Sequence, residues 1–398
     1  MIITKKIDKL KMASLWLMCL SITIFSVVRT TLANDGRIYF LAGKSVNEGK
    51  SPWNSELDPF AQYLYGPINA FLNSVLARSP YEAFIIIIKL ITCLLLFYSV
   101  KRFSTNVNQL LPIYFLCCCT FSLRSNMQYA AIGGIGSLLL ILSIQNGPHT
   151  PRGWNSVAKI FLLDFKPHIY WFSIILQESK KRILAIMFLA PITYLLIFLS
   201  NNDLSVGKWI RTIFERKNGL ASDPTLISPT FIIFHKVLPL YFLLGIHVVT
   251  VIIVLIACLR KSTDIEFTAL ATYIATLLTT PYLHTIDTLG LTLIAIVKIL
   301  QRKNISPAYL MLIYANCLWS TSVTFSSVII VLIIFALYLS NKLLTIGKPL
   351  LTGVGSAFLY LLLIRILGVN EIPSWYYAIV LGLNTIAIFK MKSYENAK

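Results

Sequence analysis

The sequence predicts an all-α protein, a polytopic transmembrane helical bundle. Three observations carry that reading. Of 398 residues, 57% are hydrophobic and only 13% are charged, about half the charged share of a soluble globular domain. The apolar residues fall in long Leu/Ile/Phe runs, such as 328–339, which lack the alternation of barrel strands. Short basic clusters punctuate those runs. Backbone groups have no water partners at membrane depth, so spans are helices or a closed barrel, and runs without alternation select helices.

A helix needs about 20 apolar residues to cross about 30 Å of hydrocarbon. On that measure the chain divides into about twelve spans, at 13–33, 83–100, 107–123, 128–145, 183–200, 237–259, 266–282, 285–300, 307–321, 323–340, 349–368 and 374–390. The basic start and the first run have the look of a signal peptide. That run is long for a cleaved segment, and it reads as an uncleaved first span. The clusters Lys5-Lys6, Lys101-Arg102, Lys180-Lys181-Arg182, Arg260-Lys261, Arg302-Lys303, Lys390 and Lys392 then follow the positive-inside rule. Both termini are expected in the cytoplasm, with the chain in the inner (plasma) membrane. The net charge of +19 meets anionic lipid headgroups of the bilayer. No basic stripe or aromatic-basic platform points to nucleic acid.

Residues 157–176 fit only if they do not cross. Arg152 precedes them and Lys180-Lys181-Arg182 follows, both expected inside, and the stretch is too short to cross twice. Pro167 removes a backbone donor and disfavours helix at Lys166. The segment therefore reads as a re-entrant hairpin with Lys166 and Pro167 at its tip; an ordinary kinked span is the alternative. Two long loops, 34–82 and 201–236, fall outside. In the second, Ile210, Ile213 and Phe214 lie at helical spacing beside Trp209, which predicts a short amphipathic helix in the headgroup layer. The seven cysteines all lie in apolar runs and read as packing residues rather than disulfide or metal partners.

Asp35, Glu48, Glu56, Asp58, Glu82, Asp203, Glu215, Asp223, Asp287 and Glu371 all fall on the predicted outer side. Most loop carboxylates are merely solvated. Asp35 differs because it follows the first span directly, where a lipid-linked headgroup meets an aqueous cavity. A carboxylate there can take the proton of an acceptor hydroxyl, the general-base step of glycosyl transfer. Lys166 is a cation at membrane depth, expensive enough to be functional. His168 shares its tip. His284 and Asp287 end a span on the same side, and for these three a capped helix end is as good a reading as ligand contact.

The order of residues resembles a known pattern. It comprises Asp35 to Gly43, then Glu48-Gly49-Lys50-Ser51-Pro52-Trp53, then Phe60 to Pro67 with Tyr63-Leu64-Tyr65-Gly66-Pro67. These resemble the first outer loop of GT-C membrane glycosyltransferases, and most of all glycosyltransferase family 87, the polyprenol-phosphate-sugar-dependent enzymes. Asn126 with Gln128, Lys166-Pro167, the stretch around Trp209, and Thr280-Pro281-Tyr282-Leu283-His284-Thr285-Ile286-Asp287 follow in the family's order. Gly66 departs from the family, which often has Pro there. The resemblance covers about residues 13–300.

It implies an inverting transferase with a catalytic module over 1–300, outer loops included, and further transmembrane helices over 301–398. The donor it implies is a hexose or pentose on polyprenyl phosphate, and the acceptor a cell-envelope glycan or glycolipid. Asp35 then corresponds to the catalytic base, with Arg37, Tyr39, Tyr65, Lys166, His168, His284 and Asp287 around the substrates. Arg37 and Arg124 serve headgroups equally well. A lipid phosphate is its own leaving group, so no metal or other cofactor is expected. Two other readings remain, a polysaccharide polymerase and a lipid-linked glycan flippase. Polymerases place their large loop late, whereas here it comes first; transporters tend to show repeats, and none is seen.

Overall fold

A computed structural model describes residues 2–28, 34–53, 63–104, 107–145, 180–215, 227–234, 238–261, 265–280, 283–301, 307–317 and 374–395, and within other stretches 159, 161–162, 164–166, 169–170, 305, 331–334 and 336–337. The described residues are almost wholly helical. Numbered among them, the helices are α1 (Ile2–Val28), α2 (Asn34–Asn47), α3 (Pro67–Leu76), α4 (Tyr81–Phe103), α5 (Val107–Cys118), α6 (Phe121–Tyr129), α7 (Gly133–Gln145), α8 (Lys180–Ser200), α9 (Val206–Glu215), α10 (Pro229–Phe234), α11 (Leu240–Lys261), α12 (Ile265–Thr279), α13 (Leu289–Gln301), α14 (Pro307–Asn316) and α15 (Ser374–Glu395). A short 3-10 turn, Thr285–Thr288, leads into α13.

Two of these, Lys9–Val28 within α1 and all of α4, are long and apolar enough to cross a membrane unaided. Shorter apolar helices accompany them, including Phe188–Ser200 and Phe242–Cys258. Large apolar side chains point outward from them: Leu17 is 66% exposed, Leu94 67%, Phe188 70% and Ile253 60%. Apolar exposure on that scale marks a surface made for something other than water, and with the apolar helices it points to a membrane protein.

Two apolar clusters fill the interior. One joins Leu15 and Cys19 of α1, Leu96 of α4, Phe115 of α5 and Ile313 of α14. The other gathers Tyr39, Trp53, Tyr63, Phe84, Phe165, Trp209 and Tyr273. Helix α13 serves both, with Leu293 and Ile296 in the first and Leu291 and Ile294 in the second. A helix apolar on every side belongs in the centre, and α13 is buried along nearly its whole length. All seven cysteines are free thiols, six of them buried and Cys258 half-buried.

Several elements differ from the sequence expectation. The first helix starts at Ile2 rather than near residue 13. The polar loop 34–82 holds two helices, α2 and α3. Their backbones come so close that a Cβ at Gly43 would collide with the Asn73 carbonyl, and Asn47 Nδ2 donates to Ser74 O at 2.8 Å. The spans predicted at 107–123 and 128–145 are broken. Thr120 caps α6 by accepting from Leu123 N, and Ala130 takes a left-handed conformation with φ 49° that ends α6 before α7 begins.

Within 157–176, residues 159, 161–162 and 164–165 are helical, Lys166 is not, and 169–170 are helical again. The helix thus breaks at Lys166, whose carbonyl starts the second piece by accepting from Ile169 N at 2.9 Å and Tyr170 N at 3.2 Å. The remainder of the expected hairpin, and most of the spans expected at 323–340 and 349–368, lie outside the described residues.

Candidate active site

Asp35 sits in the first turn of α2, where unpaired backbone N–H groups favour a negative charge. It is half-buried, and its charge acts on Tyr39, Tyr65 and Lys166. One turn further along α2, the Tyr39 hydroxyl meets the Tyr65 hydroxyl at 3.1 Å, with ring centroids 5.3 Å apart. Tyr63 packs on both rings. Burial pushes the Tyr39 phenol well above its ordinary range, and the Tyr65 and Asp35 charges add to the effect. Burial raises Tyr65 as well, with Lys166 opposing. Both phenols are therefore held protonated, as hydroxyls able to donate.

Tyr65 is fixed from three sides. Trp53 Nε1 donates to its carbonyl at 2.9 Å, and Trp209 Nε1 donates to the carbonyl of Leu64 at 2.9 Å. Phe165 lies parallel to its ring, 4.8 Å away at 7°. Helix α9 forms where the amphipathic spacing predicted it. Trp209 is buried against the Tyr65 segment, so α9 docks on the first loop through this residue; Ile210 remains exposed.

Beyond Phe165, Lys166 Nζ donates to both oxygens of Asp287 at 2.7 Å, in a pair whose side chains are 10% and 0% exposed. Asp287 is fastened in turn. Its Oδ2 accepts from His284 N at 3.2 Å, its N–H donates to His284 O at 3.0 Å, and its Oδ1 would lie 2.8 Å from a Cβ built on Gly133. Glycine is what lets α7 start against this carboxylate. Asn126 locks the same corner: its Nδ2 donates to Ile286 O at 3.0 Å and to Ser122 O at 2.8 Å, while its Oδ1 accepts from Gly134 N.

Asp35, Tyr39, Tyr65, Lys166 and Asp287, distant in sequence, thus share one site. Arg37 does not join them. It lies two positions from Asp35 on α2, which turns it to another face, and it is exposed with its charge acting on Tyr81. His284 is half-buried beside the cluster and contributes its backbone to the Asp287 turn. His168 lies outside the described residues. Among the described residues, no group of three or more His, Cys, Asp or Glu comes together as a metal site.

Sequence reasoning passed over Asp164. Its carboxylate is fully buried and accepts from Asn69 N at 2.8 Å, Asn69 Nδ2 at 2.6 Å and Tyr194 Oη at 3.0 Å. The signal was present: an ionisable residue inside an apolar segment is functional by default, the same rule that singled out Lys166. Asp164 also accounts for Gly66, because a Cβ there would run into its carboxylate.

No curated protein and no solved structure matches the chain. Residues 63–283 match glycosyltransferase family 87. The match spans Tyr65, Lys166 and Trp209; Asp35 and Tyr39 precede it, and Asp287 lies just beyond. That stretch is more than half of the chain, so the chain belongs to glycosyltransferase family 87, and its activity is the transfer of a sugar.

Proposed function

We propose that the chain transfers a hexose or pentose from polyprenyl phosphate to a cell-envelope glycan or glycolipid, with inversion, on the outer face of the plasma membrane. About twelve spans with a re-entrant segment at 157–176 put both termini in the cytoplasm. The catalytic module occupies 1–300, followed by transmembrane helices over 301–398.

The gathering of Asp35 and the Lys166–Asp287 pair around Tyr39 and Tyr65 is what supports this reading. Asp35 takes the proton of the acceptor hydroxyl as its oxygen attacks the anomeric carbon. The bond from that carbon to the phosphate oxygen breaks on the opposite side, and polyprenyl phosphate leaves with the electron pair. An ammonium has three N–H donors. Asp287 takes two, and the third faces the departing phosphate. Stabilising charge that develops in a dry site is often the largest catalytic contribution. The Tyr39 and Tyr65 hydroxyls orient the sugar, His168 and His284 line its approach, and Arg37, on the outward face of α2, meets a headgroup.

The test is transfer by purified protein from polyprenyl-phosphate-linked hexoses and pentoses, set beside nucleotide-linked sugars. Mass spectrometry of envelope glycolipids from cells with and without the protein is expected to show one sugar missing. Transfer from nucleotide sugars alone would overturn the donor assignment.

A further inference from the structure

Three consecutive residues each grip a different part of the site. Asp164 holds the start of α3 and the side of α8: Oδ2 accepts from Asn69 N and Nδ2, Oδ1 accepts from Tyr194, and its backbone carbonyl accepts from Gly66 N at 3.2 Å. Phe165 lies flat on Tyr65. Lys166 holds Asp287. A buried carboxylate is costly to desolvate, and a neutral side chain would let the fold close more cheaply. What the side chain adds is directional hydrogen bonds to both of its oxygens. These fix where Lys166 stands relative to Tyr65 and, through the Tyr39–Tyr65 contact, relative to α2 and Asp35.

We infer that Asp164 is a positioning residue of the transferase. It sets the separation between the ammonium that meets the departing phosphate and the Asp35 side, where the acceptor loses its proton. The inference rests on the function proposed above. It assigns Asp164 no contact with substrate and no proton transfer. Its carboxylate therefore acts through shape and hydrogen bonding. An amide can reproduce both, accepting from Asn69 through its oxygen and donating to the Tyr194 oxygen through its nitrogen.

The experiment compares Asp164→Asn and Asp164→Ala, alone and combined with Lys166→Met. Turnover and donor KM are measured with a polyprenyl-phosphate-linked sugar, and hydrogen exchange over 63–73 is followed without substrate. Displacing a reacting group by about 1 Å can cost about 10²-fold, so Asp164→Ala is expected to lower kcat on that order. Its donor KM should stay within about twofold, the sign of an interaction lost in the transition state rather than in binding. Asp164→Asn is expected to retain most activity. With Lys166→Met already present, Asp164→Ala is expected to add little, since residues acting through one another are not additive. Exchange over 63–73 should quicken in the Ala variant and not in the Asn variant.

An Asn variant as inactive as the Ala variant would show that Asp164 acts by charge or proton, and would overturn the inference. Fully additive losses would reduce it to a fold residue. Unchanged exchange in Asp164→Ala would remove the clasp itself, whatever the activity. A wild-type protein inactive on every lipid-linked donor would instead sink the proposed function, and the exchange result would still decide the clasp.

Discussion

The ammonium of Lys166 is shared between the two carboxylate oxygens of Asp287, both at 2.7 Å, across 121 residues of sequence. The pair joins the helix break at Lys166 to the turn that leads into the buried helix α13. Removing one member of a buried pair strands the other charge, at a cost of about 3–5 kcal/mol, whereas replacing both with apolar residues is often neutral. Lys166→Met and Asp287→Leu are therefore each expected to lower thermal stability sharply in detergent. The double variant should regain most of that stability and no turnover. If the double variant were as unstable as the singles, the pair would not be the unit that matters.

Asp35→Asn keeps the shape of the side chain and removes its basicity. It is expected to leave insertion and stability unchanged and to reduce transfer by about 10²–10⁴-fold, the usual worth of a general base. Glu48, exposed and paired with Lys50, is the control: Glu48→Gln is expected to transfer sugar normally. Near-normal turnover by Asp35→Asn would remove it from the mechanism. Set beside the expected tolerance of Asp164→Asn, the amide substitution separates a carboxylate needed for its proton affinity from one needed for its shape.

Legibility in the sequence follows from what a hydropathy reading measures. It finds helices whose sides meet lipid. Thus 83–100 corresponds to α4, and 183–200 to α8. It does not find α2 and α3, because their apolar faces are short and spend themselves on one another and on Tyr63 and Trp53. Nor does it find the break at Ala130, where the local backbone is set by Asn126, whose partners lie in α7 and in the turn before α13. Asp35, Tyr39, Tyr65, Lys166 and Asp287 were all accessible by position or resemblance. Their meeting was not, because it depends on the Phe165–Tyr65 stack and on the Asp164 contacts. Asp164 was not legible because what holds it, Asn69 and Tyr194, lies 95 and 30 residues away in the sequence.

Gly66→Ala is expected to damage the protein more than a surface change, since the added Cβ meets the Asp164 carboxylate. Gly245 in α11 has open space around its Cα, and Ala there should stabilise by up to about 1 kcal/mol through helix propensity. Thermal unfolding of the two variants, with turnover, checks the contrast. Equal tolerance at both positions would mean that the Asp164 contact yields readily.

The phenols of α2 and of the segment before α3 carry a pH dependence of definite sign. Burial raises Tyr39, Tyr63 and Tyr65 above their ordinary range. Above about pH 10 the unfolded chain releases these protons while the folded chain keeps them. Their contribution to stability is thus fully present below that pH and is lost as pH rises through the folded values. Alkaline unfolding in detergent should shift to higher pH in Tyr39→Phe and Tyr65→Phe. An unshifted alkaline limit would mean that these phenols are not held neutral by the fold.

The mechanism requires α9 and the Asp35 loop on one face of the membrane, and their contacts carry that requirement. Trp209 donates to Leu64 O and Asn201 Nδ2 donates to Val46 O at 3.3 Å, so the two loops meet directly. On the proposed topology Lys180, Lys181 and Arg182, in the first turn of α8, lie on the cytoplasmic side, which sends the far end of α8 outward. Single cysteines at Glu48 and Lys208, both exposed, in a background with every native cysteine replaced by Ala, are expected to react with an impermeant thiol reagent from outside. Cysteines at Thr150 and Ser179 should react only from the cytoplasm, as a re-entrant 157–176 demands. A kinked full crossing would put Ser179 outside and, unless another crossing compensates, carry α9 inside. Labelling of Glu48 and Lys208 from opposite sides is incompatible with the Trp209 contact. In that event Lys166 loses its place beneath the Asp35 loop, and the phosphate-binding role falls with it.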